Sequence, residues 1–90
     1  TQYYNGTAVQ LQEAIITGVT DGSGRLAIDM SGAPYAWTNV RFAVGYNTDG
    51  TAPQSDYTEL SANTGRIQFY DITGTAVGSD VPVWALLKGI

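Results

Sequence analysis

Asn39-Val40-Arg41-Phe42-Ala43-Val44-Gly45-Tyr46-Asn47 alternates large apolar residues with small or polar ones. An extended chain turns successive side chains to opposite faces, whereas a helix returns to one face every 3.6 residues. The segment therefore reads as a β-strand. Val40, Phe42, Val44 and Tyr46 are expected on the buried face, and Arg41, Ala43 and Gly45 on the other.

The same period runs outward from this strand. In Arg25-Leu26-Ala27-Ile28-Asp29-Met30, the expectation is Leu26, Ile28 and Met30 inside and Arg25, Ala27 and Asp29 outside. Residues 57–62 and 66–71 read as a hairpin about Asn63-Thr64-Gly65, with Ile67 and Phe69 inward. Phe42, Tyr46 and Phe69 are thus expected in the core. Tyr3-Tyr4 reads as a lead-in strand and Asn5-Gly6 as a turn. Residues 8–17 fit a strand with Val9, Leu11 and Ile15 on one side. Gln, Leu, Glu and Ala leave a helix open there. Glu13 falls on the apolar parity, which points to a bulge or strand end. At 81–88, Val83, Ala85 and Leu87 oppose Trp84 and Leu86. A strand apolar on both faces needs cover on both, and a neighbouring subunit is one such cover.

Polar Gly/Asp/Thr/Asn segments separate these strands at 18–24, 31–38, 48–56 and 73–80. The expected fold is all-β: a small antiparallel sandwich or flattened barrel of about six strands, in meander order or with a Greek-key crossover. Ninety residues make a single domain, 1–90, with a thin core and no Cys to staple it. Thr1 in place of Met suggests a piece of a longer chain.

Charged residues make up 13% of the chain, against an ordinary ~25%. Surface polarity must then come from Thr, Ser, Asn, Gln and Gly. The net charge is −4, and Arg25, Arg41, Arg66 and Lys88 are scattered, so no basic face for nucleic acid is expected. No apolar run approaches the ~20 residues of a membrane helix.

With no His, a Ser–His–Asp site is excluded. Lys88 has no Ser-x-x-Lys spacing, and the strand acids Glu13 and Asp29 make a weak glycosidase pair. Asp21, Asp49, Asp56 and Asp80 could offer oxygens to calcium, but none lies in a dense Asp-x-Asp-x-Asp-Gly run, and turn geometry explains them as well. No enzyme, metal or cofactor is expected. Tyr35 and Trp37, beside Gly32 and Pro34, could stack on a sugar ring or plug one end of the fold.

Three stretches carry a family resemblance: Tyr3-Tyr4-Asn5-Gly6-Thr7-Ala8-Val9, Gly18-Val19-Thr20-Asp21-Gly22-Ser23-Gly24 and Val83-Trp84-Ala85-Leu86-Leu87-Lys88-Gly89. Together they resemble the C-terminal tip domains of bacteriophage tail-fibre and related virion proteins. The resemblance implies a homotrimeric knob at a fibre tip, part of the virion and acting outside the cell. It would bind a bacterial surface receptor, a polysaccharide or an outer-surface protein. Val83, Trp84 and Leu86 are the expected subunit contacts.

In an up-and-down meander the turns at 18–24, 48–56 and 73–80 share one end, away from both termini. Asp49, Thr51, Gln54, Ser55, Asp56, Tyr57 and Thr75 are then the expected ligand-binding residues, with Tyr35 and Trp37 as the alternative. Two other functions fit the residues. One is a structural module that trimerises a fibre or decorates a virion without a ligand. The other is a carbohydrate-binding module of a hydrolase, using Tyr35 and Trp37.

Overall fold

The computed structural model describes the chain at positions 2–4, 7–9 and 11–90, with side chains described from Leu11 onward. Strands β1 (Gln2–Tyr4) and β2 (Thr7–Val9) pair antiparallel, with Tyr3 opposite Ala8. The expected Asn5-Gly6 turn lies outside the described residues. Six longer strands follow: β3 (Gln12–Val19), β4 (Arg25–Asp29), β5 (Val40–Asn47), β6 (Gln54–Ser61), β7 (Thr64–Tyr70) and β8 (Pro82–Gly89). They form two antiparallel sheets, β3-β8-β5 and β4-β7-β6. The described residues contain no helix, and within the ambiguous 8–17 segment residues 8–9 end β2 and residues 12–17 open β3.

The sheet order departs from a meander. Apart from the β1–β2 pair, only β6 and β7 are neighbours in both sequence and sheet; the other connections cross between sheets. β8, apolar on both faces, takes the centre of its sheet, where both edges are hydrogen-bonded.

The core lies between the sheets. Leu26, Ile28, Ile67 and Phe69 meet Val83, Ala85 and Leu87, and Met30 and Trp37 close one end. Phe69, Met30, Ile67 and Leu87 are fully buried, each contributing roughly 1.5–3 kcal/mol over exposure. The inward parity of β4 and β7 is therefore as expected, and β8 turns Val83, Ala85 and Leu87 inward.

The parity of β5 reverses. Val40 points inward opposite Gly89, and a bulge between Val40 and Phe42 adds one residue. An extra residue shifts everything after it to the other face. Phe42, Val44 and Tyr46 therefore turn outward, with Phe42 48% and Tyr46 41% exposed, and Ala43 and Gly45 turn inward. Phe42 and Tyr46 are not core residues. Gly45 is required inside, because a Cβ there would stand 2.6 Å from the Phe69 ring.

β3 reverses too. Ala14 and Ile16 pack on the core while Ile15 is 62% exposed. Its pairing with β8 is continuous from Gln12 to Val19, so Glu13 marks no bulge but the other expected feature, a strand end, here the start of β3. Glu13 lies outward beside Lys88, 3.5 Å away, which explains its parity.

Candidate functional site

Six alternating strands send every second connection to the same end, whichever sheet each strand joins. The segments at 20–24, 48–53 and 71–81 meet there. Thr20 donates its amide to Val81 O (3.0 Å) and accepts from the Asp80 amide (2.8 Å). Its buried hydroxyl donates to Gly78 O (2.6 Å) and accepts from the Val81 amide (3.1 Å). Asn47, at the end of β5, ties the second segment to the first residue of β8. Its Nδ2 donates to Pro82 O (2.7 Å) while its Oδ1 accepts from Ala52 N (3.1 Å). Gln54 Nε2 reaches Asp71 O at 3.3 Å. The three segments therefore form one hydrogen-bonded polar surface.

Aspartates build the local turns. In Asp21-Gly22-Ser23, Asp29-Met30-Ser31, Asp49-Gly50-Thr51 and Asp71-Ile72-Thr73, the carboxylate accepts the amide two residues on. Asp21 and Asp71 also accept the amide four residues on, from Arg25 and Thr75. These bonds favour the ionised form. All four carboxyls lie below the usual carboxylate range. The Arg25 amide is the main cause for Asp21, and the Ser31, Thr51 and Thr73 hydroxyls are the main causes for Asp29, Asp49 and Asp71. The Asp-x-Ser/Thr spacing between alternating runs is the sequence signal for these turns. The same triplet at Asp56-Tyr57-Thr58 falls inside β6 and is held in its ladder.

The expected ligand-binding residues separate. Asp49, Thr51, Gln54 and Thr75 are exposed at the polar end. Asp56 is exposed on the outward face of β6, opposite Gln68. Ser55 points inward and bonds Gly45 of β5 at 3.0 and 3.2 Å. Tyr57 is half-buried on Gly65, its hydroxyl 3.4 Å from Thr64 O, and desolvation raises its pKa. Ser55 and Tyr57 are thus turned away from the surface that holds the others.

Tyr35 and Trp37 lie at the opposite end, edge to face with ring centroids 6.3 Å apart. Trp37 is 3% exposed and packs on Gly89, while Asn63 Nδ2 caps its carbonyl at 2.9 Å. It is a plug, and the two rings form no open platform. Val83 is buried in the core, so of the three expected subunit contacts only Trp84 and Leu86 lie outward.

No family model, curated protein or solved structure matches this chain. What it can do is therefore read from its surfaces. Among the described residues no cluster of three His, Cys, Asp or Glu side chains could hold a metal ion, and no helix is long and apolar enough to cross a membrane. The polar end offers carboxylates, hydroxyls, amides and loop backbone, groups suited to hydrogen-bonding a neutral polyhydroxyl ligand.

The two outward sheet faces differ in kind. On β4-β7-β6 the cross-strand rows are Arg25–Gln68–Asp56 and Ala27–Arg66–Thr58, with Arg25 Nε donating to Gln68 Oε1 at 2.8 Å. On β3-β8-β5 they are Glu13–Lys88–Phe42, Ile15–Leu86–Val44 and Thr17–Trp84–Tyr46. Tyr46 stacks on Trp84 with centroids 4.3 Å apart. The sequence pattern held a signal for this apolar outer face: β8 is apolar on both sides. The hidden variable was the parity of β5, which the bulge set.

Proposed function

We propose that the chain is a non-enzymatic receptor-binding knob of a phage tail fibre, attaching the virion to a bacterial surface glycan. The carrying observation is the convergence of the three most polar connections on one end, opposite the end where β3 begins and β8 finishes. Asp49, Thr51, Gln54 and Thr75 are the contact residues of this reading, with Asp56 on the adjoining face. Weak single sites gain strength when several knobs engage one cell.

The test is adsorption of particles, or of the fused knob, to host cells. Asp49→Ala and Gln54→Ala should each weaken adsorption while leaving the far-UV CD spectrum intact. Wild-type adsorption by both would remove the polar end from the reading.

A second reading has its own observation. The apolar outward face of β3-β8-β5 favours a structural module that trimerises or decorates a virion without a ligand of its own. A discrete oligomer with no glycan or whole-cell binding would favour it. The hydrolase-module reading loses its motive, because Trp37 is buried.

A further inference from the structure

We propose that Tyr46 is the stacking platform of a site for neutral saccharides, held in place by Trp84 and flanked by Gln54 and Asp56 across the seam between the sheets. The inference rests on the receptor reading and deepens it, since it gives the polar end an aromatic subsite on the adjoining sheet face.

Trp84 and Tyr46 leave neighbouring strands, which run ~4.8 Å apart. Their rings stack 20° from parallel with centroids at 4.3 Å. Each ring gives one face to the other and keeps one. Trp84 is on the central strand, so its second side borders Thr17 of β3. Tyr46 is on the edge strand, so its second face has no neighbouring strand in its own sheet among the described residues, and the residue is 41% exposed. The stack fixes this ring before a ligand arrives, which spares the cost of ordering a mobile side chain. An aromatic face carries partial negative charge and attracts the slightly positive C–H groups on one side of a pyranose ring.

Hydrogen-bonding groups lie beside the open face. Gly45, the residue before Tyr46, is bonded to Ser55 at 3.0 and 3.2 Å. Gln54 and Asp56 stand on either side of Ser55 in β6, and both are exposed. Asp49 follows Tyr46 by three residues, at most ~11 Å along the chain. A ring face bordered by an amide and carboxylates matches a sugar, which is apolar on one side and edged with hydroxyls. An apolar protein surface seated here would cover Gln54 and Asp56 without giving them partners, whereas sugar hydroxyls supply those bonds.

Charge narrows the class. The rows Thr17–Trp84–Tyr46 and Ile15–Leu86–Val44 carry no charged side chain, and Arg41, Glu13 and Lys88 lie at the far end of the face. The charged residues next to Tyr46 along the chain and across the seam are acidic, Asp49 and Asp56. In a chain of net charge −4 they repel acidic sugars and accept hydrogen bonds from neutral hydroxyls.

The experiment is an array of neutral and acidic oligosaccharides probed with the 90-residue chain coupled to fluorescent beads, so that weak sites act together. The wild type should bind neutral glycans and leave acidic ones bare. Tyr46→Ala should weaken binding about tenfold or more with an unchanged far-UV CD spectrum. Tyr46→Leu, which keeps apolar bulk without a ring, should do the same and serves if the alanine variant does not fold. Tyr46→Phe keeps the ring and should bind like the wild type. A wild type that binds no neutral glycan or prefers acidic ones overturns the proposal, as does a folded Tyr46→Leu with wild-type binding. Host-cell adsorption separates this site from the receptor reading. Adsorption lost by Asp49→Ala and kept by Tyr46→Leu overturns the platform alone. Adsorption lost by Tyr46→Leu and kept by Asp49→Ala and Thr75→Ala supports the platform without the rest of the polar end.

Discussion

Ser55 closes the seam between the two sheets at Gly45. Its hydroxyl donates to the Gly45 carbonyl at 3.0 Å and accepts from the Gly45 amide at 3.2 Å. Gly45 is on β5, an edge of one sheet, and Ser55 is on β6, an edge of the other. A side chain thereby supplies the pairing that an adjacent strand would have given.

Ser55→Ala should strip both partners from a partly buried amide and carbonyl. The expected loss is about 1–3 kcal/mol, read by urea unfolding. A change below about 0.5 kcal/mol, the scatter of an ordinary surface substitution, would mean that water satisfies the seam equally well.

Gly45→Ala should be at least as damaging. The new methyl would sit 2.6–2.8 Å from Phe69 and Ile67, both fully buried and unable to yield. Overpacking of this kind costs about 1–3 kcal/mol. Gly22→Ala is the control: nothing lies within 4 Å of its Cβ position, and its midpoint should match that of the wild type.

Acid should loosen the turns before the sheets. Asp21, Asp29, Asp49 and Asp71 have folded pKa values below the ordinary 3.8. Groups so depressed favour the fold fully above the unfolded value, and that contribution is lost as pH falls through the folded one. Stability should therefore be flat above about pH 5 and decline below 3.8. Asp71→Asn keeps an acceptor oxygen but cannot titrate, so its stability should fall less steeply between about pH 4 and 2. An unchanged slope would show that Asp71 contributes nothing to acid sensitivity.

Base acts on Tyr57. Burial raises its pKa above 10, with the Glu59 charge adding to the effect. The neutral phenol is the folded form, so its contribution is present below pH 10 and lost as pH rises through the folded value. In an ultraviolet titration, Tyr57→Phe should remove a tyrosine that ionises above pH 10. Loss of absorbance change at or below pH 10 instead would contradict the burial.

The two tryptophans should report separate environments. Trp37 is buried, and Trp84 is half-buried on the outward face. Trp84→Phe should leave blue-shifted emission that iodide hardly quenches, and Trp37→Phe should leave the quenchable part. Trp37→Ala should cost about 3–5 kcal/mol, close to the whole stability of a small domain.

Period-two alternation determined that this chain is all-β and roughly where its strands lie. Alternating direction alone sent the turns near residues 20, 50 and 75 to one end, because each reversal of the chain is local. Those features need only neighbours in sequence. The tertiary structure decided which strands share a sheet, and β8 reached its place between β3 and β5 through pairing with residues far along the chain. It also decided which side of β5 is inside. One extra residue at the Val40–Phe42 bulge, set by the register against Gly89 and Lys88, turned Phe42 and Tyr46 from expected core into open surface. Alternation gives two faces but cannot name the inner one. Only the opposing sheet does that, because Phe69 fits over a glycine at position 45 and would not fit over a tyrosine.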